Sequence, residues 1–166
     1  MTYTTATLGK QNAADTAALI IKLAEFQQMD RAEPHVPALA YDLSFKGKLH
    51  GIGAFNTGKV LEGICLTYPM YNSNRTKWSF YLLDLYVNES ARDCGVAKKL
   101  IQALAVKSIE EAEEAKCGYE NIYLEVLDWN KNAILFYEHI GGKITARTEK
   151  NGHIWLEMKI PTRNLI

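Results

Sequence analysis

The spacing of apolar residues changes several times along this chain, and each change marks a predicted element. Residues 3–8 alternate and are rich in β-branched side chains, which predicts a short first strand. From Asn12 onward the period becomes helical: Ala17, Ile20, Ile21 and Ala24 fall on one face, with Asn12 or Asp15 as N-cap and an end near Met29. Residues 30–37 carry Pro34 and Pro37 and close that helix, and residues 38–45 predict a second, short helix ending near Gly47. Residues 49–55 and 60–70 read as strands around a hairpin turn at Asn56-Thr57-Gly58-Lys59, and 71–75 as a polar loop.

Residues 77–87, dense in Trp, Phe, Tyr and Leu, form the longest strand candidate. Beyond Gly95 the positions Val96, Leu100, Ile101, Leu104, Ala105 and Ile109 trace one helical face, Glu110, Glu111, Glu113 and Glu114 stay in water, and Gly118 supplies a stop. In residues 121–127 Ile122, Leu124 and Val126 share one side of a strand. A helix from Asn130 ends at Gly141-Gly142, and runs 143–148 and 154–160 flank the turn Lys150-Asn151-Gly152. The order is strand, two helices, three strands, helix, strand, helix, two strands. It predicts a mixed α/β domain: one twisted sheet of about seven strands, about four helices, and a single domain over residues 1–166.

Composition narrows the function classes. With 166 residues and 48% hydrophobic content there is material for one real core. Nineteen basic residues balance nineteen acidic ones, so the overall field that non-specific nucleic-acid binding needs is missing. Cys65, Cys94 and Cys117 are far apart and odd in number, which disfavours a disulfide framework or zinc site and suits a reducing, cytoplasmic setting. His50, His139 and His153 have no metal-ligand partner at useful spacing, so no metal is expected. The first residues lack a basic start and apolar core, and no run is long enough to span a bilayer, so no membrane partner is expected.

The chemistry concentrates in two blocks. Arg92-x-x-Gly95-x-Ala97 lies between the strand 77–87 and a helix, which puts a glycine at a sharp turn and a small residue where a ligand must come close. The helix that follows points unpaired amides and the positive end of its dipole into the turn, a geometry suited to pyrophosphate, although strand, turn and helix also occur as plain architecture. The second block holds Trp129, Asn130, Ala133, Phe136, Tyr137 and Gly142 after the strand 121–127. Together, in order and spacing, they resemble the GNAT acyltransferase superfamily, with its Arg/Gln-x-x-Gly-x-Gly/Ala signature and downstream Asn…Ala-x-x-Phe-Tyr helix.

That resemblance implies a sheet split between its fourth and fifth strands and acetyl-CoA as cosubstrate. Backbone groups of Leu85, Tyr86 and Val87 would pair with the pantetheine, and the amides of Arg92, Asp93, Cys94, Gly95, Val96 and Ala97 would hold the pyrophosphate. The Arg92 fork can add donors; Lys98 and Lys99 either reach phosphates or are solvated helix lysines. Asn130 would cap its helix and touch the pantetheine beside Ala133, and Phe136 reads as packing. Asp93 stands where the family often has glycine and reads as a helix cap; Cys94 reads as inert.

Acetyl transfer from a thioester to an amine needs a held donor, an uncharged amine and a proton for the departing thiolate. Tyr137 matches the family tyrosine that supplies this proton; its bland alternative is an aromatic core residue. An aliphatic ammonium with a pKa of ~10 is free amine only about once in a thousand molecules at neutral pH, so a base is wanted. Within the superfamily the closest likeness is to diamine acetyltransferases, carried by residues 22–26, 81–87 and 126–137, and those enzymes have Glu-Asp where this chain has Leu83-Asp84. Asp84 is therefore the candidate base, re-aimed by a bulge, or else the partner of a buried basic group; Glu62 and Glu125 are further candidates. The implied acceptor is a polyamine or other small amine, with amino-acid or protein amines, or a non-catalytic acyl-CoA-binding module, as alternatives. The diamine enzymes also imply a homodimer.

Overall fold

The computed structural model of the chain describes residues 2–30, 33–44, 48–115 and 119–166. Its elements are β1 (Thr4–Thr7), α1 (Ala13–Phe26), α2 (Val36–Asp42), β2 (His50–Phe55), β3 (Leu61–Asn72), β4 (Lys77–Val87), α3 (Val96–Ala115), β5 (Tyr119–Leu127), α4 (Lys131–His139), β6 (Lys143–Lys150) and β7 (His153–Pro161). The strands form one mixed sheet in the order β1-β2-β3-β4-β5-β7-β6. Pairing of β4 with β5 is parallel, whereas β1–β2, β2–β3, β5–β7 and β6–β7 are antiparallel. The mixed α/β architecture with seven strands and four helices follows the predicted order. Phe45, Gly47, Gly118 and the side chains of Glu111, Glu113 and Glu114 lie outside the described residues.

The chain divides into two compact units, Met1–Tyr68 with Asp84–Leu104 and Pro69–Leu83 with Ala105–Ile166. In the first, Leu8, Leu19, Leu23, Leu43, Leu61, Leu66 and Tyr86 form a buried cluster with Ile20, Leu39 and Phe55 packed at its margin. The inward face of α1 is therefore Ala13, Thr16, Ala17, Leu19 and Leu23, turned from the predicted Ala17, Ile20, Ile21, Ala24 stripe. The two leucines, i and i+4, take the centre and leave Ile20 half-buried. α1 also stops at Phe26 rather than near Met29, because Gln28 turns left-handed (φ 56) and the Met29 N–H reaches back to the Ala24 carbonyl at 3.1 Å. α2 starts two residues before the predicted position. His35 caps it, its Nδ1 accepting from the Ala38 N–H at 3.3 Å, and Pro37 fits the first turn, where no N–H is needed. In the β2–β3 hairpin the Asn56 side-chain oxygen accepts from Gly58 and Val60 N–H at 2.9 and 3.0 Å, and it is Lys59, not Gly58, that turns left-handed (φ 61).

The second unit shows the cross-strand pairs that the alternation of β5 requires: Ile122 faces Ile160, Leu124 faces Met158 and Val126 faces Leu156. β3 continues through Tyr71 and Asn72, so the expected loop shrinks to the turn before β4. Asn151 and Gly152 both adopt left-handed backbone (φ 53 and 75), the two-residue turn that Asn-Gly favours, and β6 runs on to Lys150. β7 is enclosed between β5 and β6, and β6 is the edge strand on that side.

The end of α4 is tightly specified. Gly141 is left-handed (φ 90), its N–H bonds the Glu138 carbonyl at 2.9 Å, and the Gly142 N–H bonds the Tyr137 carbonyl at 2.8 Å. A Cβ on Gly142 would lie 2.6 Å from that carbonyl oxygen. Gly142→Ala should therefore lower stability by about 2 kcal/mol through overpacking. Gly152→Ala, which meets no atom within 4 Å, should cost about 1 kcal/mol of backbone strain. Urea unfolding of both variants checks the order; equal losses would mean that Gly142 is not needed for close approach.

Candidate functional site

The loop between β4 and α3 is built from Asn88 onward, wholly within the first unit. The Asn88 N–H bonds the Glu62 carbonyl at 2.8 Å, and its side-chain amide donates to Glu62 Oε2 at 2.8 Å. Glu62 Oε2 also accepts from the Ser90 hydroxyl at 3.5 Å, and Oε1 from Asn56 Nδ2 at 3.1 Å. Glu62, a candidate base by sequence, is in this arrangement the acceptor that ties β3, the β2–β3 turn and the end of β4 together. Glu125, the other extra candidate, is ion-paired with Lys150.

Two residues of the loop are left-handed: Asp93 (φ 59) and Gly95 (φ 72). No protein atom lies within 4 Å of where a Gly95 Cβ would stand, so the glycine faces open space beside the start of α3. The open position beside the first amides of α3 leaves room for a pyrophosphate. Val96 is buried and packs toward Gly63, anchoring the first turn of α3 by its side chain. Ala97 is half-buried, while Cys94 and Lys98 are exposed. Lys99 is committed elsewhere, its ammonium donating to the Tyr3 carbonyl at 3.1 Å.

Arg92 is engaged with the end of β4 and with two rings. Its Nε donates to the Val87 carbonyl at 3.2 Å, one of the backbone groups expected to serve pantetheine, and Nη1 lies 3.6 Å from Glu89. The guanidinium sits 5.4 Å from the Phe26 ring centroid and 5.8 Å from that of Tyr86. Sequence reasoning named Arg92 and Tyr86 but missed Phe26, Glu89 and Asn88 as their surroundings. The run 22–26 carried a likeness to diamine enzymes, and nothing in its pattern told which face of α1 would meet the loop.

Asp84 is half-buried in β4, and burial holds its carboxyl above the ordinary aspartate value of 3.8. Its charge and, more strongly, burial push the Cys65 thiol up, which leaves that sulfur inert. Leu82 is buried and Leu83 is 47% exposed, so alternation puts Asp84 and Leu83 on opposite faces. The register of β4 with β5 shifts between Trp78 and Phe80, where β5 carries the extra residue, and the pairs at Tyr81 and Leu82 are regular, so this shift does not re-aim Asp84.

In the second unit Asn130 caps α4, its side-chain oxygen accepting from the Ala133 N–H at 3.2 Å, as its position before the helix predicts. Tyr137 is buried one turn further on, its ring 5.4 Å from that of Phe136. Among the described residues no group of histidine, cysteine or carboxylate side chains is placed to hold a metal ion. No described helix is long and apolar enough to cross a membrane.

Comparison with known proteins adds the following. The family described as acetyltransferase (GNAT) matches residues 18–142. The chain is 35% identical over 85 residues to L-ornithine N5-acetyltransferase NATA1 of Arabidopsis thaliana, covering 51% of this chain and 35% of that protein. It is 30% identical over 135 residues to thialysine N-epsilon-acetyltransferase of Caenorhabditis elegans, covering 81% and 79%. For most of the curated relatives it matches, the chain spans about half their length or less. A solved GNAT-family acetyltransferase from Staphylococcus aureus Mu50 shares the fold with a TM-score of 0.74 at 13% identity, covering 97% of this chain and 99% of that one.

The left-handed backbone at Asp93 costs an ordinary side chain about 1 kcal/mol that glycine escapes. Asp93→Gly should therefore raise the melting temperature slightly and Asp93→Ala lower it, read by thermal unfolding. An alanine variant as stable as the glycine one would deny that this position needs a left-handed residue.

Proposed function

The chain belongs to the acetyltransferase (GNAT) family, and from that premise we propose that it transfers the acetyl group of acetyl-CoA to the primary amine of a small aliphatic molecule. The observation that carries this reading is the loop before α3, where left-handed Gly95 leaves open space at the helix's amide-bearing end. The amides of Gly95, Val96 and Ala97 take the pyrophosphate, as the signature implies. Polyamines lead the acceptor list because of the likeness to diamine acetyltransferases. Amino acids with a terminal side-chain amine come next, since the named relatives act on ornithine and thialysine. The same reading takes residues 1–166 as one catalytic domain of a cytoplasmic homodimer.

In the mechanism, Asp84 accepts the proton that the ammonium must lose, through a water molecule. The freed amine nitrogen then attacks the thioester carbonyl, and as the C–N bond forms the C–S bond breaks. Tyr137 donates its phenolic proton to the departing thiolate and regains the proton that the nitrogen sheds as the amide forms, while the ammonium proton already held by Asp84 passes to solvent. A phenol with pKa about 10 stays protonated at neutral pH and is acidic enough for this step. The Asn130 cap and the Gly142 bond to the Tyr137 carbonyl fix the backbone that carries the buried donor.

Acetyl transfer should be measured with spermidine, diaminopropane, ornithine, thialysine and lysine peptides under matched conditions. Turnover of peptides alone would end the small-amine reading, and acetyl-CoA binding with no turnover of any amine would make the chain a binding module. Tyr137→Phe should lower kcat by about 100-fold while acetyl-CoA affinity stays within twofold; an unchanged kcat removes Tyr137 from the chemistry.

The raised pKa of Asp84 sets a sign for pH dependence. Protonated, it cannot accept a proton, so the rate should fall as pH drops through an acid limb lying above 3.8. Asp84→Asn should lower kcat by about tenfold or more and abolish that limb, leaving the limb set by the amine itself. A limb that persists in the variant assigns the base elsewhere.

A further inference from the structure

Within the first unit a cavity of about 560 Å³ opens between the last turns of α1 and the loop that follows β4. Phe26 and Tyr86 give it two aromatic walls, and Glu25, Glu62 and Glu89 give it carboxylates. Arg92 also lines it, with the guanidinium within about 6 Å of both ring centroids, the range in which a ring's quadrupole attracts a cation. The cavity thus already holds a cation supplied by its own chain. Glu62 is fixed by Asn56, Asn88 and Ser90, so its negative charge is held in place by hydrogen bonds. Lys22, the other cation at the rim, donates to the Asn88 side-chain oxygen at 3.0 Å.

We propose that this cavity binds the ammonium or guanidinium group of an aliphatic amine, in the place that the Arg92 guanidinium takes between the two rings. The proposal rests on the amine-acceptor reading above and names the feature that would select its substrates: a positive charge on a short alkyl chain. Ring faces attract the charge, the alkyl part gains apolar contact, and carboxylates complete the neutralisation. A phosphate-bearing ligand fits less well, because it would meet three carboxylates against two cations. The loop's own position for an anion is the open space at Gly95.

The test is calorimetric titration of the whole chain, without acetyl-CoA, by 1,3-diaminopropane and by 1,3-propanediol as its uncharged match. Phe26→Leu and Glu89→Gln alter one ring and one carboxylate; Phe26 is 41% exposed and the Glu89 side chain 84%, so both variants should keep the fold, as thermal unfolding can verify. Each should weaken the diamine by about fivefold, and Arg92→Met, which removes the resident cation, should tighten it several-fold. The diol should not bind. A diamine Kd indifferent to the two substitutions, diol binding equal to the diamine's, or inorganic pyrophosphate binding that depends on Phe26 and Glu89 would overturn the proposal. Acetyl-transfer assays on the same proteins keep the two readings apart. A diamine that binds with these dependences yet is never acetylated sinks the transfer reading and spares the cavity, whereas rapid transfer with affinity indifferent to the variants does the reverse.

Discussion

The carboxylate of Glu62 is the tie on which the loop before α3 depends. It lies half-buried at the start of β3, and its two oxygens accept from three side chains that belong to two loops, Asn56 in the β2–β3 turn and Asn88 and Ser90 after β4. Hydrogen bonds to a charged acceptor are worth about 1.5–3 kcal/mol each. A carboxylate taken partly out of water needs that return, since half a set of partners would leave it costlier than an apolar residue. With the set complete, Asn88 has one position for its backbone and one for its side chain. The next residues then inherit a defined starting direction, and that direction leads through two left-handed residues to the buried Val96.

From Val96 the constraint passes into α3. Leu100, Ile101, Leu104 and Ala105 are all buried, so rotating the helix would expose several large side chains at about 1.5–3 kcal/mol each. The direction of its first amides is therefore set by packing well behind the loop. A loop held at one end by Glu62 and at the other by this packing can tolerate Asp93 in a conformation that glycine fills more comfortably. The departure from the family signature is local strain, of order 1 kcal/mol, and does not alter the path of the chain.

Much of this was legible in the sequence because it depends on local rules. The period-2 runs, the Asn130 cap, the Gly141-Gly142 stop and the Asn151-Gly152 turn each state their geometry within a few residues. What escaped depends on contacts between distant segments. The inward face of α1 was decided by how Leu19 and Leu23 meet Leu8 and Leu61, and apolar residues on neighbouring stripes gave no local preference. Pro37 read as a terminator, although in a first turn it is harmless. Glu62 read as a further candidate base, and only the fold brings Asn56, Asn88 and Ser90 to it. Arg92 was read as a motif residue, but a motif says nothing of which way a long side chain rests.

That resting position bears on how two substrates would share one arginine. Contact with two rings at a partly exposed site is worth about 0.5–1 kcal/mol, and the exposed pairing with Glu89 at most about 1 kcal/mol. Charge-assisted bonds to a phosphate are stronger, about 1.5–3 kcal/mol each. Arg92 would therefore leave the rings when a pyrophosphate is offered within its reach, and its departure would empty the place proposed for an amine cation. An amine arriving first would in turn release Arg92 to the phosphates. By linkage each ligand would raise the other's affinity by the same factor, limited to the contacts that Arg92 gives up, so about 1 kcal/mol or roughly fivefold. A coupling that small would not impose a compulsory order of binding. It would favour the complex in which both substrates are present, which is the complex that direct attack on the thioester requires.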